Sequence, residues 1–202
     1  MKVDFFKHNL GKEEKDGLEQ VIDSTFISTG PVVKNFEGKF ANYLGAKYCV
    51  AVSNWTSGNF IVLKALGIGP GDEVITTPMS FIATSNTIIH AGAKPVFVDV
   101  EENTGNIDVN NIEKAITEKT KGIIPVHLYG QMCDMIAINE IADRHKLFVI
   151  EDCAHCIEGQ RDKIRPGQLS TAAVFSFYAT KNITSGEGGS IVTQDDDLYH
   201  KF

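Results

Sequence analysis

The sequence predicts an α/β protein with a mostly parallel, seven-stranded sheet flanked by helices. Short apolar runs rich in β-branched residues alternate along the chain with segments whose apolar residues recur every three or four positions. The runs contain few polar residues, which is typical of strands buried on both faces of a parallel sheet. The length of 202 residues and the 43% apolar content favour one folded domain with a substantial core.

The elements can be justified in order along the chain. Two helices come first, and the second begins with a proline, which is favoured at the first helical position. The predicted helices are Lys12–Ser24 and Pro31–Leu44, followed by helical patterns at Phe60–Leu66, Val109–Ile116 and Met135–Ala142. The predicted strands are Tyr48–Val52, Glu73–Thr77, Pro95–Val100, Gly122–Leu128, Leu147–Glu151, Ala173–Phe177 and Ser190–Thr193.

Charge and composition exclude several classes of protein. The 19 Lys and Arg against 26 Asp and Glu give a net charge of −7, which argues against a nucleic-acid binder. No run approaches 18 apolar residues and no apolar signal follows the first lysine, so we expect a cytoplasmic protein without a membrane segment. The four scattered cysteines fit reduced thiols better than a disulfide framework.

The loop after the first predicted strand, residues 53–58, has two interpretations. Serine and asparagine there are typical caps of a helix N-terminus. The same helix start offers free backbone amides beside the hydroxyl groups of Thr56 and Ser57, an arrangement suited to a phosphate. The segment matches neither the Walker nor the Rossmann glycine pattern, so both interpretations stay open at this point.

Two adjacent carboxylates, Glu151 and Asp152, lie where the fifth predicted strand leaves the core. A buried carboxylate needs a cationic or hydrogen-bonding partner, and the protonated ring nitrogen of a pyridine cofactor is one candidate. An aspartate that caps the following loop is the alternative. Residues 153–156 bring two thiols and an imidazole together, but they lack the paired spacing of a structural zinc site, so we expect no metal.

Lys181 lies between the sixth predicted strand and a glycine-rich segment, with hydroxylic, aromatic and small neighbours. Most lysines are solvated surface charges. Desolvation at this position would lower the pKa of the amine and suit it to a Schiff base. A phosphate-suited loop, a strand-end aspartate and a desolvated lysine are together the minimum set for pyridoxal 5'-phosphate, which is the predicted cofactor.

Four ordered motifs carry a resemblance to a known family. They are residues 69–78, 125–130, 149–155 and 175–184. With them the sequence resembles the DegT/DnrJ/StrS-type sugar aminotransferases, which are fold-type I pyridoxal-phosphate enzymes, from about residue 4 to the end. The resemblance implies that residues 36–202 form the large, cofactor-binding domain behind an N-terminal helical arm at 1–35, and that the family's C-terminal small domain is missing.

The resemblance also implies a role for each site residue. Lys181 and Asp152 are the implied catalytic residues: Lys181 binds the cofactor and moves a proton between cofactor and substrate carbons, and Asp152 pairs with the pyridine nitrogen. Phe81 and Ala154 flank the ring, and His155 lies near the phenolic oxygen. For Phe81 an ordinary core aromatic is the alternative. The residues implied to hold the phosphate are Thr56, Ser57 and Ser176.

The implied reaction moves an amino group from L-glutamate to a keto carbon of a nucleotide-linked deoxysugar, for surface polysaccharide or lipopolysaccharide biosynthesis. The implied full-length protein is a homodimer. Family members are nearly twice as long, so we expect this chain to be a truncated piece. One alternative is a non-catalytic fragment or binding module. Another is a sugar dehydratase of the same family, in which a histidine replaces the lysine, and Lys181 argues against it.

Overall fold

The computed structural model describes residue 4 and residues 6–202, so residues 1–3 and 5 of the predicted arm lie outside the described residues. The helices of the described part are α1 (Lys12–Ile22), α2 (Pro31–Leu44), α3 (Trp55–Ala65), α4 (Ala83–Ala91), α5 (Val109–Ile112), α6 (Met135–His145) and α7 (Asp196–Tyr199). Within this part, no helix combines the length and apolar character needed to cross a bilayer.

Seven strands form a single sheet. They are β1 (Tyr48–Val52), β2 (Glu73–Thr76), β3 (Lys94–Phe97), β4 (Thr120–Ile123), β5 (Phe148–Asp152), β6 (Ala172–Ser176) and β7 (Gly189–Thr193). Their order is β1-β7-β6-β5-β4-β2-β3, and β7 runs antiparallel to both of its neighbours while the other pairs are parallel. The prediction of a mostly parallel, seven-stranded α/β sheet is confirmed.

Four strands end earlier than the sequence predicts, and two of them, predicted as Glu73–Thr77 and Ala173–Phe177, do so by one residue. The predicted strand Gly122–Leu128 begins instead at Thr120 and ends at Ile123. Pro125 has no backbone N–H for the ladder, and the chain then turns through a short 3₁₀ helix. The predicted strand Pro95–Val100 stops at Phe97, and Val100 beyond it forms an antiparallel bridge with Ile107.

Four helical predictions also differ from the structure. The patterns at Phe60–Leu66 and Met135–Ala142 belong to the longer helices α3 and α6. The first helix ends at Ile22 rather than Ser24. The pattern at Val109–Ile116 forms the four-residue α5 and then a 3₁₀ turn, Glu113–Ala115, so the periodicity there extends beyond the helix itself. The second helix begins at Pro31 as predicted, so the proposed arm boundary at residue 35 falls inside one continuous helix.

Apolar clusters cover both faces of the sheet. Val62 of α3 and Ile88 of α4 pack on one face, and Ile138 of α6 packs on the other. Leu44 of α2 and Phe175 of β6 belong to a third cluster beside the sixth strand. The helices therefore cover both faces of the sheet. The polar side chains described next lie at or after the ends of its strands. All four cysteines are free and buried, in agreement with the prediction of reduced thiols.

Candidate active site

Asp152 is the last residue of β5 and is buried, with only 4% of its surface exposed. Successive strand residues face opposite sides of a sheet, so Asp152 shares a face with Ile150 while Glu151 points the other way. Its Oδ2 accepts a hydrogen bond from the Thr84 hydroxyl at 2.8 Å, and its Oδ1 accepts one from the Ala154 backbone N–H at 3.1 Å. Burial raises the pKa of the Asp152 carboxyl, and these two donors oppose that effect.

Glu151 takes part in a separate buried network on the opposite face. Its carboxylate accepts hydrogen bonds from the Gly167 backbone, from the Ser170 hydroxyl and from His127 Nε2, the last at 2.7 Å. His127 Nδ1 accepts the backbone N–H of Cys133 at 3.1 Å, which places the imidazole hydrogen on Nε2. Asp152, rather than Glu151, is thus the carboxylate that faces the helices α3 and α4.

A possible metal cluster also lies in this network. Ligand atoms of His127, Glu151 and Cys153 lie within 4.8 Å of one another. Both imidazole nitrogens and both Glu151 oxygens already take part in hydrogen bonds. An ion would have to break these bonds inside the core, so the cluster is better explained as a hydrogen-bonded network.

Lys181 lies in the loop between β6 and β7, where its backbone N–H donates to the Tyr178 carbonyl. It lines a cavity of about 280 Å³ together with Ala154 and His155. Burial lowers the pKa of its ammonium group, in the direction the sequence predicts, while the smaller effect of Asp152 opposes it. The amine is therefore placed in a partly desolvated cavity beside two other predicted site residues.

His155 contacts the segment that follows β4. Its Nδ1 accepts the backbone N–H of Tyr129 at 3.4 Å, and the two rings stack with centroids 5.6 Å apart. The imidazole hydrogen must then lie on Nε2, which leaves that nitrogen as a donor. Burial, and secondarily the charge of Lys181, lowers the pKa of His155. Its neutral form is favoured near neutral pH.

Tyr129 has an unusual backbone for an aromatic residue. Its φ is 52° and its ψ 29°, in the left-handed region that bulky side chains rarely adopt. The side chain is 81% exposed at the cavity that also contains Lys181. Backbone strain of this kind persists where the surrounding structure over-determines it, and it is common at functional sites. Composition and periodicity did not reveal this residue.

The predicted phosphate loop starts α3. The Asn54 side chain caps the helix by accepting the Ser57 backbone N–H at 2.8 Å, so the cap interpretation is correct. The cap satisfies one amide of the first turn, and Thr56 remains exposed there. The cap therefore uses the Ser57 amide and leaves the Thr56 side chain at the surface.

Gly189 of β7 lies beside the start of α3. It pairs with Ser176 across β6 and β7 and with Val52 across β1 and β7. A Cβ at Gly189 would lie 2.7 Å from the Phe175 carbonyl oxygen and 2.9 Å from the Trp55 nitrogen. The absence of a side chain thus allows the start of α3 to lie directly against β7 and the end of β6.

Phe81 precedes α4 and is 77% exposed, so the alternative of a core aromatic is wrong. It lines a smaller cavity of about 110 Å³ with Ser80 and Thr84. Thr84 in turn contacts Asp152, which connects this cavity to the buried carboxylate. The structure therefore brings Lys181, His155 and Ala154 into one cavity. Phe81 lines the second cavity with Thr84, and Thr84 contacts Asp152.

Comparisons with known proteins identify relatives of this chain. The chain is 50% identical over 192 residues to the spore coat polysaccharide biosynthesis protein SpsC of Bacillus subtilis, covering 95% of this chain and 49% of that protein. It is 46% identical over 193 residues to GDP-perosamine synthase of Caulobacter vibrioides, covering 95% of this chain and 52% of that protein.

A solved structure gives the same result for the fold. NtdA from Bacillus subtilis, determined with bound cofactor PMP, superposes with a TM-score of 0.87 at 36% identity, covering 95% of this chain and 44% of that chain. The chain thus spans about half the length of the curated relatives it matches. Residues 8–202 match the DegT/DnrJ/EryC1/StrS aminotransferase family, and the chain belongs to that family.

Proposed function

We propose that this chain is the cofactor-binding part of a pyridoxal-phosphate-dependent sugar aminotransferase. Its reaction moves an amino group from L-glutamate to a keto carbon of a nucleotide-linked deoxysugar, for surface polysaccharide or lipopolysaccharide biosynthesis. The observation that carries the proposal is the partly desolvated amine of Lys181, in one cavity with Ala154 and His155 and near the buried Asp152. Relatives named for spore coat polysaccharide biosynthesis and perosamine synthesis support the substrate class.

The residues present fit this cofactor. Asp152 is a buried carboxylate that hydrogen-bonds a hydroxyl and a backbone amide, so its charge is available to a cationic ring nitrogen. The buried indole N–H of Trp55, at the start of α3, has no hydrogen-bond partner among the described residues. An unsatisfied buried donor beside a helix start is consistent with a site that takes up a polar group.

Each residue then has a defined task. Lys181 would hold the cofactor through its amine and would move a proton at the substrate carbon. Asp152 would keep the ring nitrogen protonated, and His155 would offer its Nε2–H to the phenolic oxygen. Phe81 and Ala154 would contact the ring. The residues that would hold the phosphate are Thr56, Ser57 and Ser176. The bound cofactor supplies an electron sink for the substrate carbon that loses a proton.

The full-length protein is proposed to be a homodimer. Helix α1 has no buried residue, and its Leu18 and Ile22 side chains are 63% and 72% exposed. Apolar side chains on an otherwise charged helix favour a further partner surface. A second subunit, or the part of the relatives that this chain does not match, provides the cover in this proposal.

Borohydride reduction followed by peptide mapping tests the proposal. The reagent fixes the cofactor on the lysine that holds it, so we expect the label on Lys181 alone. Lys181→Arg should abolish labelling. Lys64→Arg is the matched control, because Lys64 is an exposed lysine of α3 and its replacement should leave labelling unchanged. Label on another lysine would contradict the assignment.

A further inference from the structure

Two hydroxyl groups lead from the buried aspartate toward the surface. Thr84 Oγ1 donates to Asp152 Oδ2 at 2.8 Å, and Ser80 Oγ lies 2.6 Å from Thr84 Oγ1. A threonine hydroxyl has one hydrogen, and here that hydrogen is committed to the carboxylate. Ser80 is therefore the donor in the second bond. The donation runs in one direction, from Ser80 to Thr84 to Asp152.

The hydroxyl of Thr84 is not needed by its own helix. Thr84 is the second residue of α4, and its backbone amide is satisfied by the Phe81 carbonyl. Ile82, the residue that caps α4, makes no side-chain cap bond. Threonine near a helix start commonly uses its hydroxyl on the backbone, whereas this hydroxyl points to the end of β5. The Thr84 hydroxyl is thus used for the contact with Asp152 rather than for the backbone of α4.

The surroundings of Asp152 leave few other groups that could control its charge. The Ala154 backbone N–H binds the other oxygen, so one donor fixes each side of the carboxylate. The titratable groups that act on it at longer range are His127 and Lys181. Glu151 is turned to the opposite face by its own network, and the thiol of Cys153 is buried with a pKa raised by desolvation.

We propose that Thr84, with Ser80 behind it, is a positioning residue that holds Asp152 ionised and oriented for the ring nitrogen of the cofactor. The inference rests on the role proposed above for Asp152. In a buried site a hydrogen bond to a charged group stabilises the charged form, so loss of the Thr84 hydroxyl makes ionisation harder. Loss of the Ser80 hydroxyl acts through Thr84 and has a smaller effect.

Carbon-13 NMR titration of the Asp152 carboxyl in the cofactor-free protein, extended to the length of its relatives, tests the inference. Thr84→Val keeps nearly the same shape and removes the hydroxyl. We expect it to raise the pKa of Asp152 by about one unit, a tenfold change in the ionisation constant. Thr84→Ser restores the hydroxyl and should return the pKa to the wild-type value. A residue that served only packing would not show this rescue.

Ser80→Ala provides the independent variant if Thr84→Val folds poorly, because Ser80 is only partly buried. It should raise the pKa of Asp152 by less than Thr84→Val does. An unchanged Asp152 pKa in both Thr84→Val and Ser80→Ala overturns the inference, whatever happens to the cofactor.

A separate measurement isolates the proposed function. Nitrogen-15 NMR of labelled cofactor bound to the same extended protein reports the protonation of the cofactor's ring nitrogen. Thr84→Val should lower the pKa of that nitrogen, and Asp152→Asn should lower it further. In the Asp152→Asn background the Thr84 change should add nothing, as expected when one residue acts through the other. A ring nitrogen unaffected by Asp152→Asn would refute the role of Asp152, while the carboxyl titration still decides the role of Thr84.

Discussion

At the scale of single residues, the Tyr129 ring stacks on His155 and covers part of its imidazole. The stacked tyrosine shields an imidazole whose pKa is lowered mainly by burial. Tyr129→Gly keeps the backbone N–H that His155 accepts, relieves the left-handed strain and removes the shield. We expect the pKa of His155 to rise toward 6.5 in this variant, measured by NMR titration.

Tyr129→Phe is the control for that experiment, since it retains the ring and loses only the hydroxyl. The His155 pKa should stay at its wild-type value. The sign for stability follows from linkage: the unfolded chain binds the proton more readily than the folded one. Acidification through the pH range just below 6.5 should therefore destabilise the wild type, and Tyr129→Gly should weaken this dependence. A His155 pKa equal in all three proteins would contradict the shielding argument.

Asp152 illustrates opposite demands of stability and function. Burial raises its pKa in the folded chain, so the folded state binds the proton more tightly than the unfolded one and loses stability as pH rises past 3.8. Asp152→Asn removes this penalty. Without cofactor, we expect the variant to melt higher at pH 7, by about 3 °C if the gain is about 1 kcal/mol.

The same change should nearly abolish amino transfer in a full-length enzyme, because each 1.36 kcal/mol of lost transition-state stabilisation costs about tenfold in rate. Calorimetry across pH and a glutamate-dependent assay measure the two effects. The melting difference should shrink toward acid pH, where the wild-type carboxyl is protonated. Near-normal turnover in Asp152→Asn would transfer the role to another group.

At the scale of secondary structure elements, Gly189 determines how close α3 and β7 can lie. Gly189→Ala would place a Cβ under 3 Å from backbone atoms of Phe175 and Trp55. Such overpacking costs about 1–3 kcal/mol, and here it should also weaken binding of the cofactor phosphate by pushing the start of α3 outward. Chemical denaturation and cofactor titration measure the two effects.

Gly38→Ala is the matched control. Gly38 lies within α2, and a Cβ there would meet nothing within 4 Å. Alanine is a better helix former than glycine, so this variant should gain about 0.5–1 kcal/mol and bind cofactor normally. Equal stability of the two variants would show that the close approach at Gly189 has no energetic weight.

The sequence predicted all seven strands because each is an apolar run with turn residues on either side. It could not predict that β7 runs antiparallel, since a strand buried on both faces has the same pattern in either direction. Asp152 was singled out because it is a polar residue at the end of an apolar strand, and Lys181 because it lies between a strand and a glycine-rich segment among neutral neighbours. Thr84 and Tyr129 were missed, because a helical threonine and a loop tyrosine become distinctive only through their tertiary contacts.

At the scale of the whole molecule, the exposed apolar side chains of α1, Leu18 and Ile22, favour association of the isolated chain. We predict that residues 1–202 alone bind pyridoxal phosphate weakly, transfer little amino group from glutamate and form non-specific oligomers on sizing. An extension to the length of the relatives should restore a discrete dimer and turnover together. A well-defined 202-residue species that turns over at roughly one per second would contradict this prediction.

The position of β7 in the sheet also sets an order of events during synthesis. β1 lies at the sheet edge and pairs with β7, whose residues follow it by about 140 positions. During synthesis, β1 therefore cannot pair with β7 until Gly189–Thr193 has left the ribosome, and the start of α3 cannot pack against β7 before then. A nascent chain that stops short of Gly189 contains Lys181 but lacks the strand against which the start of α3 packs. Under the function proposed above, the cofactor site is therefore completed only when this short strand arrives.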